Sequence, residues 1–456
     1  MTPRTPSLLR QLGIVSATAI VMSNMIGTGI FTMSGFLAGD LGSVKLLLLI
    51  WAVGAVCALA GAFCYSELGI NFPSSGGEYV YLTQAFGPAW GFMTGWVSFF
   101  AGFSAPIALA ALAFSDYLGY FFPAMRQESS AHFGPEYLDF RLGGAQMVAS
   151  TLVVIFTIIN CLGVRTAARI QNVLTATKVL VILTFIGAGF LFGKGDVGHF
   201  SQHAVRTSTT PLFFQFFVSL FFIYVAYSGW NAATYVAEEL KQPARTLPLS
   251  LAVGTGIVAL LFLGLNLLFV YGVPLENMKG QVAVGAITAS YLFGPAVAGL
   301  FSGAMALSLL ATVNAMVTIG PRVYYAMAKN GAFFAAAASV HPRWHTPVIA
   351  IICQGICTIL MTTSSFVNLM FYVGIVLNFF AVMSVASLFV FRKRAGWRKI
   401  AAVDFGFPAL PVFFILVGLL MTVVGFTFKP LVSFIAVATV GTGALVYHAR
   451  MRKETS

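Results

Sequence analysis

Two short runs containing glycine interrupt otherwise apolar sequence. They are Asn24-Met25-Ile26-Gly27-Thr28-Gly29-Ile30-Phe31 and, about 200 residues later, Val225-Ala226-Tyr227-Ser228-Gly229-Trp230-Asn231. In hydrocarbon an unwound peptide leaves N–H and C=O groups without partners, each at a cost of roughly several kcal/mol. Such breaks persist where they line a cavity and bind something. A matched pair of interrupted segments in two halves of a chain is the sequence pointer to a secondary transporter's binding site.

The chemistry of the two runs is complementary. Gly27 and Gly29 flank Thr28, so the backbone there is free to leave helical geometry and turn successive N–H groups toward a cavity. A half-helix restarting near Ile30 presents its positive dipole end to the same place, which suits a carboxylate. In the second run the last carbonyls of the preceding half-helix carry partial negative charge and attract an ammonium group. A carboxylate site facing an ammonium site describes the backbone of a zwitterionic amino acid. The candidate substrate residues are therefore Met25, Ile26, Gly27, Thr28 and Gly29 with Val225, Ala226, Tyr227, Ser228 and Gly229. For the first run alone, close helix packing through small residues remains the alternative.

Lys178 is the one basic residue well inside an apolar segment, nine positions past Arg169 and so about 13 Å along a helix. An intramembrane cation is a functional candidate by default, for coupling or for structure. The competing reading lets its stem snorkel back to the interface. Glu67 and Asp116 lie near segment ends and read as structural. His341 and His345 have helical ligand spacing, but Pro342 and Pro347 argue for a loop, so no metal is expected. No carboxylate pair, Cys/His cluster or phosphate-cradling motif falls at membrane depth, so neither an enzyme nor a bound cofactor is expected. The five cysteines, Cys57, Cys64, Cys161, Cys353 and Cys357, all fall within apolar segments, which indicates no external disulfide.

The elements that must position these residues follow from hydropathy. Of 456 residues 59% are hydrophobic and only 8% charged, far from the roughly 25% charged of a soluble domain. Windows of about 20 apolar residues place segments at 12 to 37, 45 to 70, 86 to 122, 146 to 164, 171 to 193, 211 to 237, 248 to 273, 295 to 325, 347 to 363, 366 to 391, 408 to 428 and 430 to 449, twelve in all. The stretch 86 to 122 reads as one long tilted helix containing Pro106, and 282 to 294 as an outer-loop helix. Arg4 and Arg10 before the first segment imitate a signal peptide, but the apolar run from Leu12 is short for one, so the reading is an uncleaved helix. The net charge of +12 sits in clusters between segments, where positive-inside placement explains it without nucleic acid. With the N-terminus inside, eighteen basic residues face the cytoplasm and seven face out, whereas splitting 86 to 122 gives seventeen against eight, so charge alone leaves the count open. Segments one to five (12–193) and six to ten (211–391) read as two halves that each open with a broken helix. Their odd helix number implies opposite orientation, an inverted repeat, followed by two peripheral helices (408–449) between tails at 1–11 and 450–456.

These motifs resemble the amino acid-polyamine-organocation superfamily, within it the L-type amino acid transporters and their bacterial relatives, over most of the chain. The resemblance rests on Ile26-Gly27-Thr28-Gly29-Ile30-Phe31, Pro73-Ser74-Ser75-Gly76-Gly77-Glu78-Tyr79 and Gln171-Asn172 through Lys178. It rests also on Ala226-Tyr227-Ser228-Gly229-Trp230-Asn231 with Glu238-Glu239, and on Arg322-Val323-Tyr324-Tyr325-Ala326-Met327-Ala328. It implies an all-α membrane protein of twelve transmembrane helices, a LeuT-like 5+5 inverted repeat with two discontinuous helices, both termini cytoplasmic. Backbone groups matching Thr28 and Gly29 then hold a substrate carboxylate, and carbonyls matching Met25, Val225 and Ser228 hold its amine. The position matching Lys178 lies near the place where sodium-coupled relatives bind sodium, which implies sodium-independent transport.

Two departures stand out. Many relatives carry an aromatic gate at the position matching Val225. Eukaryotic L-type members join a glycoprotein through a cysteine in an outer loop, and the segment from Pro123 to Ala145 contains none. The expectation is therefore a bacterial inner-membrane protein without a disulfide-linked glycoprotein subunit. Its function reads as alternating-access exchange of neutral L-amino acids, with proton-coupled symport as the alternative mechanism. An ion channel, the alternative from another class, calls for rings of charge or carbonyls along a pore, which this sequence does not offer.

Overall fold

In the computed structural model residues 10–134, 140–281 and 283–451 are described. Most of both expected tails, with Arg4, Arg452 and Lys453, lies outside them. The chain is all-helical apart from a small hairpin in which Ala131–Phe133 pairs antiparallel with Phe140–Leu142. In chain order come α1 (Ile14–Met25), α2 (Gly29–Leu41), α3 (Val44–Asn71), the short α4 (Glu78–Phe86), α5 (Pro88–Val97), α6 (Ala105–Leu118), α7 (Gly144–Cys161) and α8 (Val164–Phe192). Then follow α9 (Leu212–Ala226), α10 (Pro243–Gly272), the single turn α11 (Leu275–Met278), α12 (Val284–Phe293), α13 (Pro295–Lys329), α14 (Val348–Met361), α15 (Phe366–Phe391), α16 (Ala401–Phe405), α17 (Ala409–Phe428) and α18 (Pro430–Val446).

Among the described residues ten helical spans are long and apolar enough to cross a membrane, the first of them running through α1 and α2. Each coincides with one of the segments read from hydropathy. The remaining two segments contain the shorter apolar helices Leu212–Ala226 and Val348–Met361. The stretch around Pro106 is one span, Pro88–Leu118. A π-helical turn, Ser98–Ser104, precedes Pro106, so the wider turn absorbs the hydrogen bond that proline cannot make.

Segment ends differ from hydropathy for a physical reason. Arg165 and Arg169, expected in a loop, lie in the first turns of α8, because the chain break is at Gly163 with φ 132. Hydropathy marks where apolar surroundings begin, which is not where the helix begins. Glu67 is indeed structural: its carboxylate accepts both Nε and Nη2 of Arg392 at 2.7 Å and the indole N–H of Trp397 at 2.8 Å. Asp116 accepts the backbone N–H of Gln127 at 2.9 Å, closing the loop after α6. Beyond α15, Lys399 at 3.3 Å and Arg392 at 3.0 Å hold the exposed Asp404 below the usual carboxylate range.

One internal correspondence went unread in the sequence. Phe86-Gly87-Pro88-Ala89 joins the short α4 to α5, and Phe293-Gly294-Pro295-Ala296 joins the short α12 to α13. Gly87 has φ 100 and ψ 170 and Gly294 has φ 91 and ψ 169, a conformation that only glycine adopts without strain, each followed by proline in the first helical turn. The chain thus turns the same corner twice with the same residues.

The interrupted helices occupy the middle of the bundle. α1 packs on α8, α10 and α13, while α2 and α3 pack against α9.

Candidate functional site

The two breaks seat on each other through glycine. A Cβ placed on Gly29 would lie 2.6 Å from the Cβ of Ala226 and 2.8 Å from its Cα. A Cβ on Gly229 would lie 2.8 Å from the carbonyl carbon of Asn24, and Gly229 has φ 100. Each run therefore uses one glycine to admit the other run's backbone. Gly27 differs, since a Cβ there would meet nothing within 4 Å. Neither Gly27 nor Gly29 takes a positive φ. The helix is left at Ile26, with φ −77 and ψ 84, so the glycines provide room rather than unusual dihedrals.

The break frees backbone groups of both kinds. Among the described residues the N–H groups of Thr28, Gly29 and Ile30 have no backbone acceptor, since the amides around them bond elsewhere: Gly27 to Met25 at 2.9 Å and Phe31 to Thr28 at 3.0 Å. These are the orphan donors of the α2 N-terminus, where the helix dipole is positive. At the end of α9 the Val225 carbonyl accepts the Ser228 N–H at 3.0 Å, while the carbonyls of Ala226 and Tyr227 have no backbone donor among the described residues. Free donors of one break and free acceptors of the other thus belong to runs that touch at Gly29 and Ala226.

Between them lies a cavity of about 70 Å³. It is lined by Met25, Gly27, Thr28, Gly29, Val225, Ala226 and Ser228. Three of the sequence-derived candidates are elsewhere. Ile26 is fully buried and its carbonyl accepts from Lys178 of α8; Tyr227 turns away, donating its hydroxyl to the carbonyl of Trp51 at 3.1 Å; Gly229 is spent on the contact with Asn24. The remaining wall was not anticipated: Asn24 of α1, Met33 of α2, Pro106, Leu109 and Ala110 from α6, Phe222 of α9, Thr312 and Met316 from α13, Met370 and Val373 from α15. Apart from Asn24, in sequence these are apolar or small residues on apolar helices, and nothing in their spacing says which neighbour they meet. Among the described residues no Asp, Glu, Lys or Arg lines the cavity.

Lys178 is fully buried rather than extended to an interface. Its Nζ donates to the Ile26 carbonyl at 2.7 Å and to the Thr312 hydroxyl at 2.8 Å, and that hydroxyl donates to the same carbonyl at 2.8 Å. The ammonium thus partners a carbonyl the break has released and ties α8 and α13 to it. One turn earlier, Thr175 and Ser23 share a hydrogen bond of 2.5 Å, which fixes α8 to α1 beside the break.

The two ends of the site differ. At the end where the chain enters α1, the N–H groups of Gln11 and Leu12 donate to Glu239 and the N–H of Lys241 donates to Leu12. Beneath this, Arg322 Nε donates to Glu239 at 2.8 Å with both side chains buried. This end is closed. Toward the far end of α2 lies a larger cavity of about 340 Å³, reaching Phe36, Asp40, Thr207 and Lys279.

The family model described as "Amino acid permease" matches residues 12–445. The chain belongs to the amino acid permease family. The permease is 30% identical over 448 residues to the mouse (Mus musculus) large neutral amino acids transporter small subunit 2, covering 97% of this chain and 81% of that protein. It is 29% identical over 397 residues to mouse b(0,+)-type amino acid transporter 1, with 85% and 77% covered. To mouse Asc-type amino acid transporter 1 it is 27% identical over 452 residues, with 97% and 81% covered. The permease is a multi-pass membrane protein and not an enzyme, as its family and its relatives are transporters.

One expectation is overturned by these relatives. The cysteine-free segment from Pro123 to Ala145 implied a chain with no disulfide-linked glycoprotein subunit. A relative that matches 97% of the permease is named a small subunit, a name that presupposes a second subunit. A missing cysteine in one loop bears on one mode of attachment only, and packed surfaces associate without a covalent link.

Proposed function

We propose that the permease is a sodium-independent exchanger of neutral L-amino acids working by alternating access. The observation that carries this reading is the cavity between the two breaks, lined by Thr28 and Gly29, whose amides have no backbone acceptor among the described residues, and by Val225, Ala226 and Ser228 at the end of α9. The amides and the α2 dipole receive the substrate carboxylate; the carbonyls at the end of α9 and of Met25 receive the ammonium. A wall without charged side chains favours a neutral substrate, because a buried cation or anion there has no partner. The printed name of the mouse large neutral amino acids transporter small subunit 2 points the same way. The Lys178 Nζ occupies the Ile26 carbonyl that the break leaves without a backbone donor, which supports sodium independence.

The architecture proposed with it has twelve membrane helices: inverted repeats at 12–193 and 211–391 and peripheral helices at 408–449. The shared Phe-Gly-Pro-Ala corners before α5 and α13 support the repeat. The excess of basic residues on the side of the Leu12 contact supports cytoplasmic tails at 1–11 and 450–456 in a cell's inner membrane. The Arg322–Glu239 closure then lies on the cytoplasmic side, and the larger cavity on the outer side.

The test is counterflow in proteoliposomes loaded with a panel of amino acids in sodium-free buffer. Stereoselective uptake that needs internal amino acid supports exchange. Uptake driven by an imposed pH gradient into vesicles without internal amino acid replaces exchange with proton symport. No stereoselective uptake across the panel defeats the transport reading.

A further inference from the structure

The motif Pro73-Ser74-Ser75-Gly76-Gly77-Glu78-Tyr79 has no part in the substrate cavity, yet it buries a carboxyl group away from any cation among the described residues. It lies between the spans Val44–Asn71 and Pro88–Leu118. Gly76 with φ 122 and Gly77 with φ 51 lead the chain into α4, and a Cβ on Gly77 would lie 2.6 Å from the ring of Tyr235. Glu78 opens that helix. Its Oε1 accepts from the hydroxyl of Tyr65 in α3 at 2.9 Å and from the side-chain N–H of Asn231 at 2.8 Å, and the hydroxyl of Tyr235 donates to its Oε2. Asn231 and Tyr235 belong to the chain just after the second break, where the 3₁₀ stretch Ala232–Glu239 runs on to the closed end of the site. All three partners are neutral. The cations at this end serve other carboxylates: Arg322 serves Glu239, Arg392 serves Glu67 and Lys329 serves Glu238. The other titratable groups that feel the Glu78 charge are the phenols of Tyr81 and Tyr224, and α5 and α15, which pack on α4, bring no charged residue. Burial without a counter-charge therefore pushes the Glu78 carboxyl above the usual carboxylate range, against the pull of its three donors.

We infer that Glu78 is a positioning residue of the transport cycle: with its proton it holds the stretch after the second break against α3 and α4, and it gives that proton up to the cytoplasm when the stretch is released. This rests on the exchange reading above, in which the Glu239 end must open for substrate to leave. Parting Glu239 from Leu12 and Arg322 draws Tyr235, four residues earlier, off Glu78, and water then reaches the carboxyl. In water a glutamate has an ordinary pKa of about 4.3, so the open form sheds the proton that the closed form keeps. The closed form thus binds one proton more than the open form. Falling pH favours closure and rising pH favours opening, and the dependence ends once the pH passes the raised value of the closed form. The proton leaves and returns on the same side, so this step sets the rate of exchange and moves no proton across the membrane.

The experiment measures counterflow of radiolabelled neutral amino acids in proteoliposomes with the same pH on both sides, by the full-length wild type, Glu78→Gln and Tyr235→Phe, with thermal unfolding followed for each. Between about pH 8 and about pH 5 the wild-type rate is expected to fall toward acid, with a slope approaching about tenfold per pH unit, the limit for one proton. Glu78→Gln, neutral at every pH, is expected to show a flat profile at the wild type's acid rate. Tyr235→Phe removes a donor that favours the ionised carboxyl, so its profile is expected to shift to higher pH. Infrared difference spectra of the wild type against Glu78→Gln are expected to show the carbonyl stretch of a protonated carboxyl group above about pH 5, where an ordinary glutamate is ionised. A flat wild-type profile, a wild-type slope kept in Glu78→Gln, or absence of the infrared band overturns the inference. Should Glu78→Gln fail to fold, an unshifted profile in folded Tyr235→Phe overturns it. A wild type that exchanges no amino acid overturns the transport reading instead, and the infrared band of the wild type against Tyr235→Phe or Glu78→Gln then decides whether Glu78 carries a proton.

Discussion

Gly27 and Gly29 are two residues apart, yet the structure separates their roles, and that separation is measurable. A methyl at Gly29 would sit 2.6 Å from the Ala226 Cβ and 2.8 Å from its Cα, so the two breaks must move apart. The obstructing atoms include backbone, which makes this overpacking of the kind that costs about 1–3 kcal/mol. A methyl at Gly27 meets nothing within 4 Å and costs the fold little. It does, however, take up space in the substrate cavity that Gly27 lines. One group too many in such a pocket is worth about 1–3 kcal/mol of binding, or about 10–200-fold. Gly29→Ala is therefore expected to lower the unfolding temperature in detergent. Gly27→Ala is expected to unfold like the wild type while binding substrate at least about tenfold more weakly. Tryptophan-fluorescence melting and substrate-induced thermal shifts measure the two effects separately. Equal destabilisation by both substitutions, or wild-type substrate affinity in Gly27→Ala, refutes the argument that Gly27 faces the substrate and Gly29 the partner helix.

Two further outcomes follow from buried charges. Lys178→Met keeps the aliphatic stem but removes the hydrogen bonds to the Ile26 carbonyl and the Thr312 hydroxyl, for a loss of about 1–3 kcal/mol; the folded variant is expected to exchange at least about tenfold more slowly, and wild-type counterflow would show that the ammonium is dispensable. Arg322→Met leaves the fully buried Glu239 without its cation, at a cost of about 3–5 kcal/mol. Adding Glu239→Leu is expected to recover most of that loss, and a single variant as stable as the wild type in thermal unfolding would contradict the closure described here.

The two breaks and Lys178 were legible because the bilayer makes them conspicuous. Glycine beside polar residues, or an ammonium, stands out against apolar sequence when hydrocarbon offers no hydrogen bonds. The same logic failed inside the site. Of the ten residues chosen from the two runs, Tyr227 sits within its motif but donates to the Trp51 carbonyl, and the Ile26 carbonyl is taken by Lys178 of α8. Membership of a broken run says that a backbone is unwound, not which way each group then faces. Partner expectations failed for a related reason, since a cysteine count speaks to covalent attachment and to nothing else.

Sequence alone determined that this chain lives among helices in a membrane, that two of them are interrupted, and that one cation is held at depth, because each follows from solvation of single residues. Only the tertiary structure decided that Gly29 admits Ala226 and Gly229 admits Asn24, that Lys178 ends on the Ile26 carbonyl, and that α6, α13 and α15 supply the rest of the wall. Those outcomes depend on which apolar faces meet. In a chain that is 59% hydrophobic nearly every face is apolar, so complementarity of shape, invisible in composition or periodicity, makes the choice.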